Sequence, residues 1–329
     1  MRTYRVNINM EIILTDNLGT TESINKLRHS IRNNIDRGNS VLVKLLQPGV
    51  MYESSPGRWH TVVDFINEWQ GQDVRFRSNL VPLKPCEVEF TYSNDMFFSG
   101  PKLYTENKKC SALLQKLKSV DVKITDTPWE LLLGERNDNK DLLHHLVSAH
   151  PVVNKTFMTY FGKDTSRGHW GQDVVRPVKH TAESVAGMTA QHQYITTLRC
   201  SDLLDPSIYN QTHYTAMIET TIHNDFAMFS EKEAKPIVAK RPFVIFGSCR
   251  QLEAFRSLGF KTFASVIDES YDSVVDKQER WHKALDSMLE LTKSDPKDVY
   301  KKLAGVLQHN KEHFENNDWP RCLDWDSYQ

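Results

Sequence analysis

The chain has 329 residues, of which 39% are hydrophobic and 25% are charged. This length and composition supply enough core material for two domains of ordinary size, and they exclude a disordered chain. The 41 basic and 42 acidic residues give a formal net charge of -1, so no overall field draws the protein to nucleic acid or to an anionic membrane. Only a local basic groove could serve such a partner.

Cysteine usage and hydropathy narrow the class further. The five cysteines contain no CxxC or CxxH pair, which argues against a disulfide framework and against a zinc site, and we expect no metal. The N-terminal sequence lacks the continuous apolar core of a signal peptide. No window approaches the roughly 18 apolar residues of a membrane span. We expect a cytoplasmic protein that does not enter a membrane.

Short apolar runs alternate with helical patterns along most of the chain, which indicates βα units around mainly parallel sheets. Strands are predicted at 6–14, 40–46, 87–92, 121–126, 157–161, 214–222, 242–247 and 261–267. Helices are predicted at 21–38, 140–150, 250–259 and 277–310, the last one broken near Pro296. We predict an α/β protein of two domains, 1–125 and 126–329, with helices at the C-terminal end of the second.

The sequence "SEKE" at 230–233 comes shortly before the apolar run at 242–247. Ser230 followed three residues later by Glu233 is the pattern of a capping box, which predicts that a helix begins here. Pro236 is expected to end or kink that helix. Lys232 then places a cation at the positive end of the helix dipole, and an anion nearby would resolve that conflict.

The pattern alone leaves two interpretations of this stretch open. Glu231 and Lys235 lie four residues apart, so Glu231 could accept hydrogen bonds from paired hydroxyls, as on a ribose, while Lys232 or Lys235 meets phosphate. The stretch could equally be a solvated helix face whose ion pair contributes only about 0.3–0.5 kcal/mol. Glu219 also has two interpretations. It comes late in an apolar strand, at the end where α/β proteins bind ligands, and it could equally be an acid at a solvent-exposed strand end.

A stretch of similar layout spans 131–146, where an apolar run precedes a polar cluster and a helix. Arg136 and Lys140 could deliver two positive charges to a diphosphate, although neither a P-loop nor a GxGxxG fingerprint is present. A purely structural loop with helix caps would show the same sequence pattern.

Two further polar groups of residues have a structural and a functional interpretation. The acids Asp268, Glu269 and Asp272 could bind a divalent metal, and we expect them instead to cap the helix that follows. The polar region 162–193 interleaves cations with an aromatic residue, which suits a nucleic-acid groove with a stacking wedge and is equally typical of a surface loop. The residues concerned are Lys163, Arg167, Trp170 and Arg176.

Over roughly 215–280 the chain resembles glycosyltransferase-like proteins encoded by tailed phages and related viruses. The resemblance is carried by "SEK" at 230–232 and, after it, by "KP", "PF", "LGFKTF" and "DESYD". The Ser-Glu-Lys core is also similar to the nucleotide-sugar-binding motif of fucosyltransferase-like enzymes. The resemblance implies two Rossmann-like domains that face each other across a cleft, with the nucleotide sugar bound by the C-terminal domain.

The resemblance implies an enzyme that moves a sugar from a nucleoside diphosphate sugar, for which we expect UDP, to a hydroxyl acceptor. It needs no other cofactor. Glu231 would bind the donor ribose and Lys232 would meet the diphosphate, with Lys235 as a secondary charge. The implied donor-binding residues are Arg136, Lys140, Glu219, Ser230, Glu231, Lys232 and Lys235.

The acceptor side is assigned less directly. Asp95 follows the predicted strand 87–92 and is our candidate for the base that takes the acceptor proton, although it could be a turn residue. Phage enzymes of this type often modify hydroxymethylcytosine in double-stranded DNA, so we expect that acceptor, reached by flipping the base, in the host cytoplasm. A saccharide or protein acceptor, a non-catalytic nucleic-acid-binding module on a degenerate transferase fold, and a Mg²⁺-dependent nucleotide enzyme are the alternatives.

Overall fold

The computed structural model describes residues 2–6, 10–15, 21–45, 51–55, 58–78, 80–84, 86–92, 126–133, 137–161, 172–173, 209, 211–219 and 222–316. The described residues divide into two compact units. One contains the residues up to 92 together with His223–Phe229, and the other contains those from 126 to 222 and from 230 onward. The chain therefore leaves the second unit after Ile222, contributes one segment to the first unit, and returns at Ser230.

The first unit is built on a five-stranded sheet in the order β1-β2-β3-β6-β8. Only β1 and β2 pair antiparallel, and the other neighbours run parallel. Two short antiparallel pairs, β4 with β5 and β7 with β13, complete its strands. The bounds are β1 (Arg2–Val6), β2 (Met10–Thr15), β3 (Ser40–Leu45), β4 (Met51–Ser55), β5 (Arg58–Thr61), β6 (Val74–Ser78), β7 (Leu80–Pro82), β8 (Phe90–Tyr92) and β13 (Phe226–Met228).

Two helices, α1 (Thr21–Ile35) and α2 (Val62–Asn67), contribute to the core of this unit. In α1 the apolar residues recur at helical spacing and are buried, and Gly38 follows the helix at a φ of 75°, which favours glycine. The core residues from α1 and from β3 and β6 are Ile24, Leu27, Ile31, Val41, Val43, Leu45, Val74 and Phe76.

The second unit has its own five-stranded sheet in the order β11-β10-β9-β12-β14. Strands β10, β9, β12 and β14 run parallel, and β11 pairs antiparallel with β10. Every residue of β12 and β14 is buried, as is typical of parallel strands that are covered on both faces. The bounds are β9 (Trp129–Leu132), β10 (Thr156–Phe161), β11 (Gln172–Asp173), β12 (Tyr214–Ile218) and β14 (Phe243–Phe246).

Helices surround this second sheet. Phe246 contacts Trp281 edge to face at 6.0 Å, and the Trp129 indole donates to the Met288 carbonyl at 3.1 Å, so both contacts join strands of this sheet to the helix Lys277–Leu291. The helices are α3 (Asp138–Ala149), α4 (Glu231–Val238), α5 (Gln251–Ser257), α6 (Lys277–Leu291) and α7 (Pro296–Asn316), with 3₁₀ turns at Pro151–Lys155 and Ser270–Ser273.

The amino ends of β9, β12 and β14 enclose a buried polar cluster. The Arg241 guanidinium donates to the Tyr209 carbonyl at 2.9 Å and to the Thr212 carbonyl and hydroxyl at 3.0 and 2.8 Å. Thr215 Oγ1 donates to Glu130 Oε1 at 2.7 Å. Burial raises the pKa of Glu130, while the charge of Arg241 and the Thr215 hydrogen bond oppose that rise. This edge of the sheet is thus closed by the chain's own groups.

The prediction of an α/β protein with parallel sheets is confirmed. The predicted single strand at 6–14 is wrong, because the chain forms two antiparallel strands in which Val6 faces Met10. The predicted strand at 121–126 and the domain boundary beside it fall in a stretch of which only Asp126 is described, so both stay predictions. The membership of His223–Phe229 in the first unit was not anticipated.

The predicted strand at 261–267 is also wrong, because the residues there adopt turns. The Asn310 amide of α7 accepts from Lys261 N and donates to Lys261 O, both at 2.8 Å, and so satisfies backbone groups that a neighbouring strand would otherwise pair. The apolar side chains still enter the core, where Phe263 contacts Phe243 edge to face at 4.9 Å. Among the described residues, no helix combines the length and the apolar character needed to cross a membrane.

Candidate functional site

The candidate site lies at the carboxyl edge of the second sheet. Strand β12 ends at Ile218, and the next residue, Glu219, is buried with only 1% of its surface exposed. Its backbone N–H donates to the Phe246 carbonyl at the end of β14, at 3.3 Å. In α/β proteins ligands bind beyond this edge, so a buried carboxylate here needs a specific explanation.

Helix α4 begins beside Glu219 with the predicted capping box. Ser230 is the N-cap, with extended backbone angles of -136° and -169°. Its hydroxyl accepts from Lys232 N at 3.4 Å, and its own N–H donates to Glu233 Oε2 at 2.9 Å. The prediction for Ser230 and Glu233 is therefore confirmed. Pro236 lies inside the helix, which ends two residues later at Val238.

Ser230, Lys232 and Glu219 form one hydrogen-bonded cluster. The Ser230 hydroxyl donates to Glu219 Oε1 at 2.7 Å and accepts from Lys232 Nζ at 3.1 Å. Lys232 Nζ lies 3.6 Å from Glu219 Oε2. The anion that the misplaced lysine required at the helix N-terminus is thus supplied by the chain itself. Because the Lys232 side chain is still 28% exposed, it can also contact a ligand.

Glu233 adds a second carboxyl group to this cluster. Its side chain is fully buried, Oε2 accepts from Ser230 N, and Oε1 has no hydrogen-bond donor. Burial raises the pKa of Glu233 well above its usual range, the neighbouring Glu219 raises it further, and the Ser230 N–H and the Lys232 charge oppose the rise. The sequence pattern predicted Glu233 only as part of the cap, because nothing in "SEKE" indicates that its last residue is buried.

The structure describes only some of the other residues that were predicted to bind the sugar donor. Lys235 lies on α4 within electrostatic reach of Glu130, the buried acid at the opposite edge of the sheet. Lys140 is a buried residue in the first turn of α3, where Asn137 Oδ1 accepts from its backbone N–H at 2.9 Å. Glu231 is the first residue of α4, and its side chain lies outside the described part of the structure. Asp95, Arg136, Lys163, Arg167, Trp170 and Arg176 lie outside the described residues altogether.

The acid cluster near residue 270 caps a helix, and the helix is the preceding one. The Asp272 carboxylate accepts from Leu252 N at 2.8 Å and from Glu253 N at 3.1 Å, so it closes the N-terminus of α5 rather than that of α6. Glu269 Oε1 accepts from Phe263 N at 2.6 Å. Burial raises the pKa of both carboxyl groups. Among the described residues, no three His, Cys, Asp or Glu side chains are grouped so as to hold a metal ion.

Comparisons of the chain with protein-family models, with curated proteins and with solved structures found no match. Three of the residues predicted to bind the donor, Glu219, Ser230 and Lys232, are in mutual contact at the α4 N-terminus.

Proposed function

We propose that the protein is a glycosyltransferase that moves a sugar from a nucleoside diphosphate sugar, UDP-linked in our expectation, to a hydroxyl acceptor. The observation that carries the proposal is the contact of Glu219, Ser230 and Lys232 at the carboxyl edge of a parallel sheet. This is the edge at which α/β folds bind nucleotides. We also propose the arrangement that the resemblance implies, in which two Rossmann-like domains face each other across a cleft. The proposed location is the host cytoplasm.

The cluster supports donor binding through its charge and its rigidity. Ser230 Oγ and Glu219 Oε2 lie 3.1 and 3.6 Å from Lys232 Nζ, so the cation is held in place before a ligand arrives. A departing diphosphate needs a fixed positive charge, and an oriented ammonium beside a helix N-terminus supplies one without a metal. In this proposal Glu231 binds the ribose hydroxyls, and Lys140, Arg136 and Lys235 add positive charge.

The acceptor half of the proposal rests on the resemblance. Asp95 is proposed to accept the proton that the acceptor hydroxyl releases as its oxygen forms the glycosidic bond. Hydroxymethylcytosine in double-stranded DNA is the proposed acceptor, with Lys163, Arg167, Trp170 and Arg176 in contact with the DNA.

Transfer is tested by incubating the protein with UDP- and GDP-linked sugars and with DNA that contains hydroxymethylcytosine or only cytosine. The digested nucleosides are then weighed by mass spectrometry. We expect a mass gain of one hexose or related sugar on hydroxymethylcytosine only. Lys232→Met should abolish it, whereas Lys283→Met should not, because Lys283 is an exposed α6 lysine 3.0 Å from Glu279.

The same experiment separates the alternatives. Donor turnover without a modified nucleoside would move the acceptor to a saccharide or a protein. Salt-sensitive DNA binding that survives Glu231→Ala, with no turnover of any donor, would contradict the transferase and favour a non-catalytic nucleic-acid-binding module.

A further inference from the structure

The site contains two buried carboxyl groups and one lysine. Glu219 and Glu233 are 1% and 0% exposed, and both accept hydrogen bonds from Ser230, Glu219 from its hydroxyl and Glu233 from its backbone N–H. Lys232 supplies a single positive charge. Two ionised carboxylates with one counter-charge would leave a buried negative charge unbalanced, which is costly in a poorly solvated site. When two acids share such a site, one of them keeps its proton.

The hydrogen bonds identify the acid that keeps the proton. Glu219 Oε1 accepts from the Ser230 hydroxyl, and Glu219 Oε2 faces Lys232 Nζ, so both oxygens of Glu219 meet donors or positive charge. Glu233 Oε2 accepts from Ser230 N, and Glu233 Oε1 has no donor. A proton on Glu233 Oε1 that points to Glu219 completes the set, whereas a proton on Glu219 would compete with donors already there.

We propose that Glu233 is a positioning residue that acts as a neutral carboxylic acid: Oε1–H donates to Glu219 and Oε2 accepts from Ser230 N–H. Glu233 thereby fixes the Glu219 carboxylate, and Glu219 and Ser230 in turn hold Lys232 Nζ where a diphosphate meets it. The part that concerns the diphosphate rests on the proposed function. The cluster then carries one negative and one positive charge, so an anionic ligand meets no net repulsion.

The groups around Glu233 are consistent with this role. The charged groups that act on it are Glu219, which directly follows β12, and Lys232 from its own helix. Strand β14, beside β12, is apolar throughout. Helix α7 packs against α4; its Tyr300 hydroxyl donates to the His213 carbonyl, and the most deeply buried residues of α7 carry no titratable group. Those residues are Val299, Leu303, Leu307, Asn310 and Phe314.

A simple cap and a neutral acid predict different results for Glu233→Gln. Glutamine keeps an oxygen that accepts from Ser230 N–H, and its NH₂ group can donate to Glu219 in place of the proton. Glu233→Ala loses both contacts. Glu279→Gln is the matched control, because Glu279 is likewise the third residue of its helix, yet it is exposed and pairs with Lys283.

The protonation state is read by infrared spectroscopy and by stability as a function of pH. We expect the carboxylic-acid carbonyl band of the wild-type protein at neutral pH to lose one component in Glu233→Gln and none in Glu279→Gln. A carboxyl group with a raised folded-state pKa binds a proton that the unfolded chain releases, so wild-type stability falls as pH rises above the ordinary glutamate range. The melting temperature of Glu233→Gln should therefore rise relative to wild type between about pH 5 and about pH 8, while Glu279→Gln stays parallel to wild type.

The positioning role is read by titrating UDP and GDP into each variant at neutral pH. We expect Glu233→Gln to bind within about twofold of wild type, and Glu233→Ala at least about fivefold more weakly. An unchanged infrared band, or a melting-temperature difference independent of pH, overturns the proposal even if Glu233→Ala does not fold. A Glu233→Gln affinity reduced as much as that of a folded Glu233→Ala also overturns it. Loss of the band with no nucleotide binding by any variant supports the neutral acid and contradicts the proposed function instead.

Discussion

Ser230 Oγ donates a hydrogen bond to Glu219 Oε1 at 2.7 Å, and both residues are buried although eleven positions separate them in the sequence. Between them the chain contributes β13 to the other compact unit. The hydrogen bond therefore joins Glu219, three residues before the chain leaves the second unit, to Ser230, where the chain re-enters it. One serine hydroxyl thus serves as helix cap, as donor to a buried carboxylate and as acceptor from Lys232.

Ser230→Ala should destabilise the protein by more than the loss of an ordinary cap. An N-cap substitution costs about 1 kcal/mol, and here it also removes a donor from a buried carboxylate, so we expect about 2–3 kcal/mol. Asp276→Ala is the comparison, since Asp276 caps α6 by accepting from the exposed Glu279 through its backbone N–H at 2.8 Å. It should cost about 1 kcal/mol in urea unfolding. Equal losses in the two variants would mean that the bond to Glu219 contributes nothing.

Arg241→Met tests the buried cluster at the amino edge of the sheet. The substitution removes the Arg241 charge that acts on Glu130 and the donors to the carbonyls of Tyr209 and Thr212. Because the loss leaves two buried carbonyls without donors and a buried carboxyl group without a nearby charge, we expect a cost of about 3–5 kcal/mol in denaturant unfolding. Adding Glu130→Gln should recover part of it, because the second substitution removes the acid that was left behind. A double variant no more stable than Arg241→Met would show that the two groups are uncoupled.

Asn310→Ala tests the turn that replaces the predicted strand at 261–267. The Asn310 amide makes two hydrogen bonds to the backbone of Lys261, both at 2.8 Å, and it is 2% exposed. Its removal should cost about 2–3 kcal/mol, because the two buried backbone groups lose their partner. Thermal or urea unfolding measures this cost. Asn316→Ala, at the exposed C-terminal end of the same helix, should be within about 0.5 kcal/mol of wild type.

Tyr300→Phe tests stability at high pH. The Tyr300 hydroxyl donates to the His213 carbonyl at 2.6 Å, and burial raises the pKa of Tyr300 to about 12. The raised pKa favours the neutral phenol in the folded state, so this stabilisation is present below the ordinary tyrosine range and is lost as pH rises from about 10 toward 12. The variant should cost about 1 kcal/mol near neutral pH, and the difference from wild type should shrink in that window. A stability difference between variant and wild type that stays constant from about pH 9 to about pH 12 would contradict the assignment.

Local signals made the α4 N-terminus predictable. A capping box depends on two residues three apart, so Ser230 and Glu233 could be recognised without knowledge of the rest of the fold. Glu219 could be placed because the carboxyl ends of parallel strands collect functional groups. Gly38 marked the end of α1 for a similar reason, since its φ of 75° is a local requirement.

Features that depend on distant contacts could not be predicted in this way. The burial of Glu233 beside Glu219 follows from the packing of α4 on the sheet, which the pattern "SEKE" does not encode. The residues 261–267 have the composition of a strand, but a side chain 49 positions away satisfies the backbone of Lys261. Asp272 caps the preceding helix α5, because the chain returns to the N-terminus of that helix after residues 261–267.

The most direct test of the proposed function is calorimetric titration of UDP and GDP into the wild-type protein, Lys232→Met and Lys283→Met, each first shown to be folded. We expect the wild type and Lys283→Met to bind at least one of the two nucleotides with equal affinity. Lys232→Met should bind it at least about tenfold more weakly, because the diphosphate loses its ammonium partner. Binding of neither nucleotide by the folded wild type, or undiminished binding by Lys232→Met, would contradict the account.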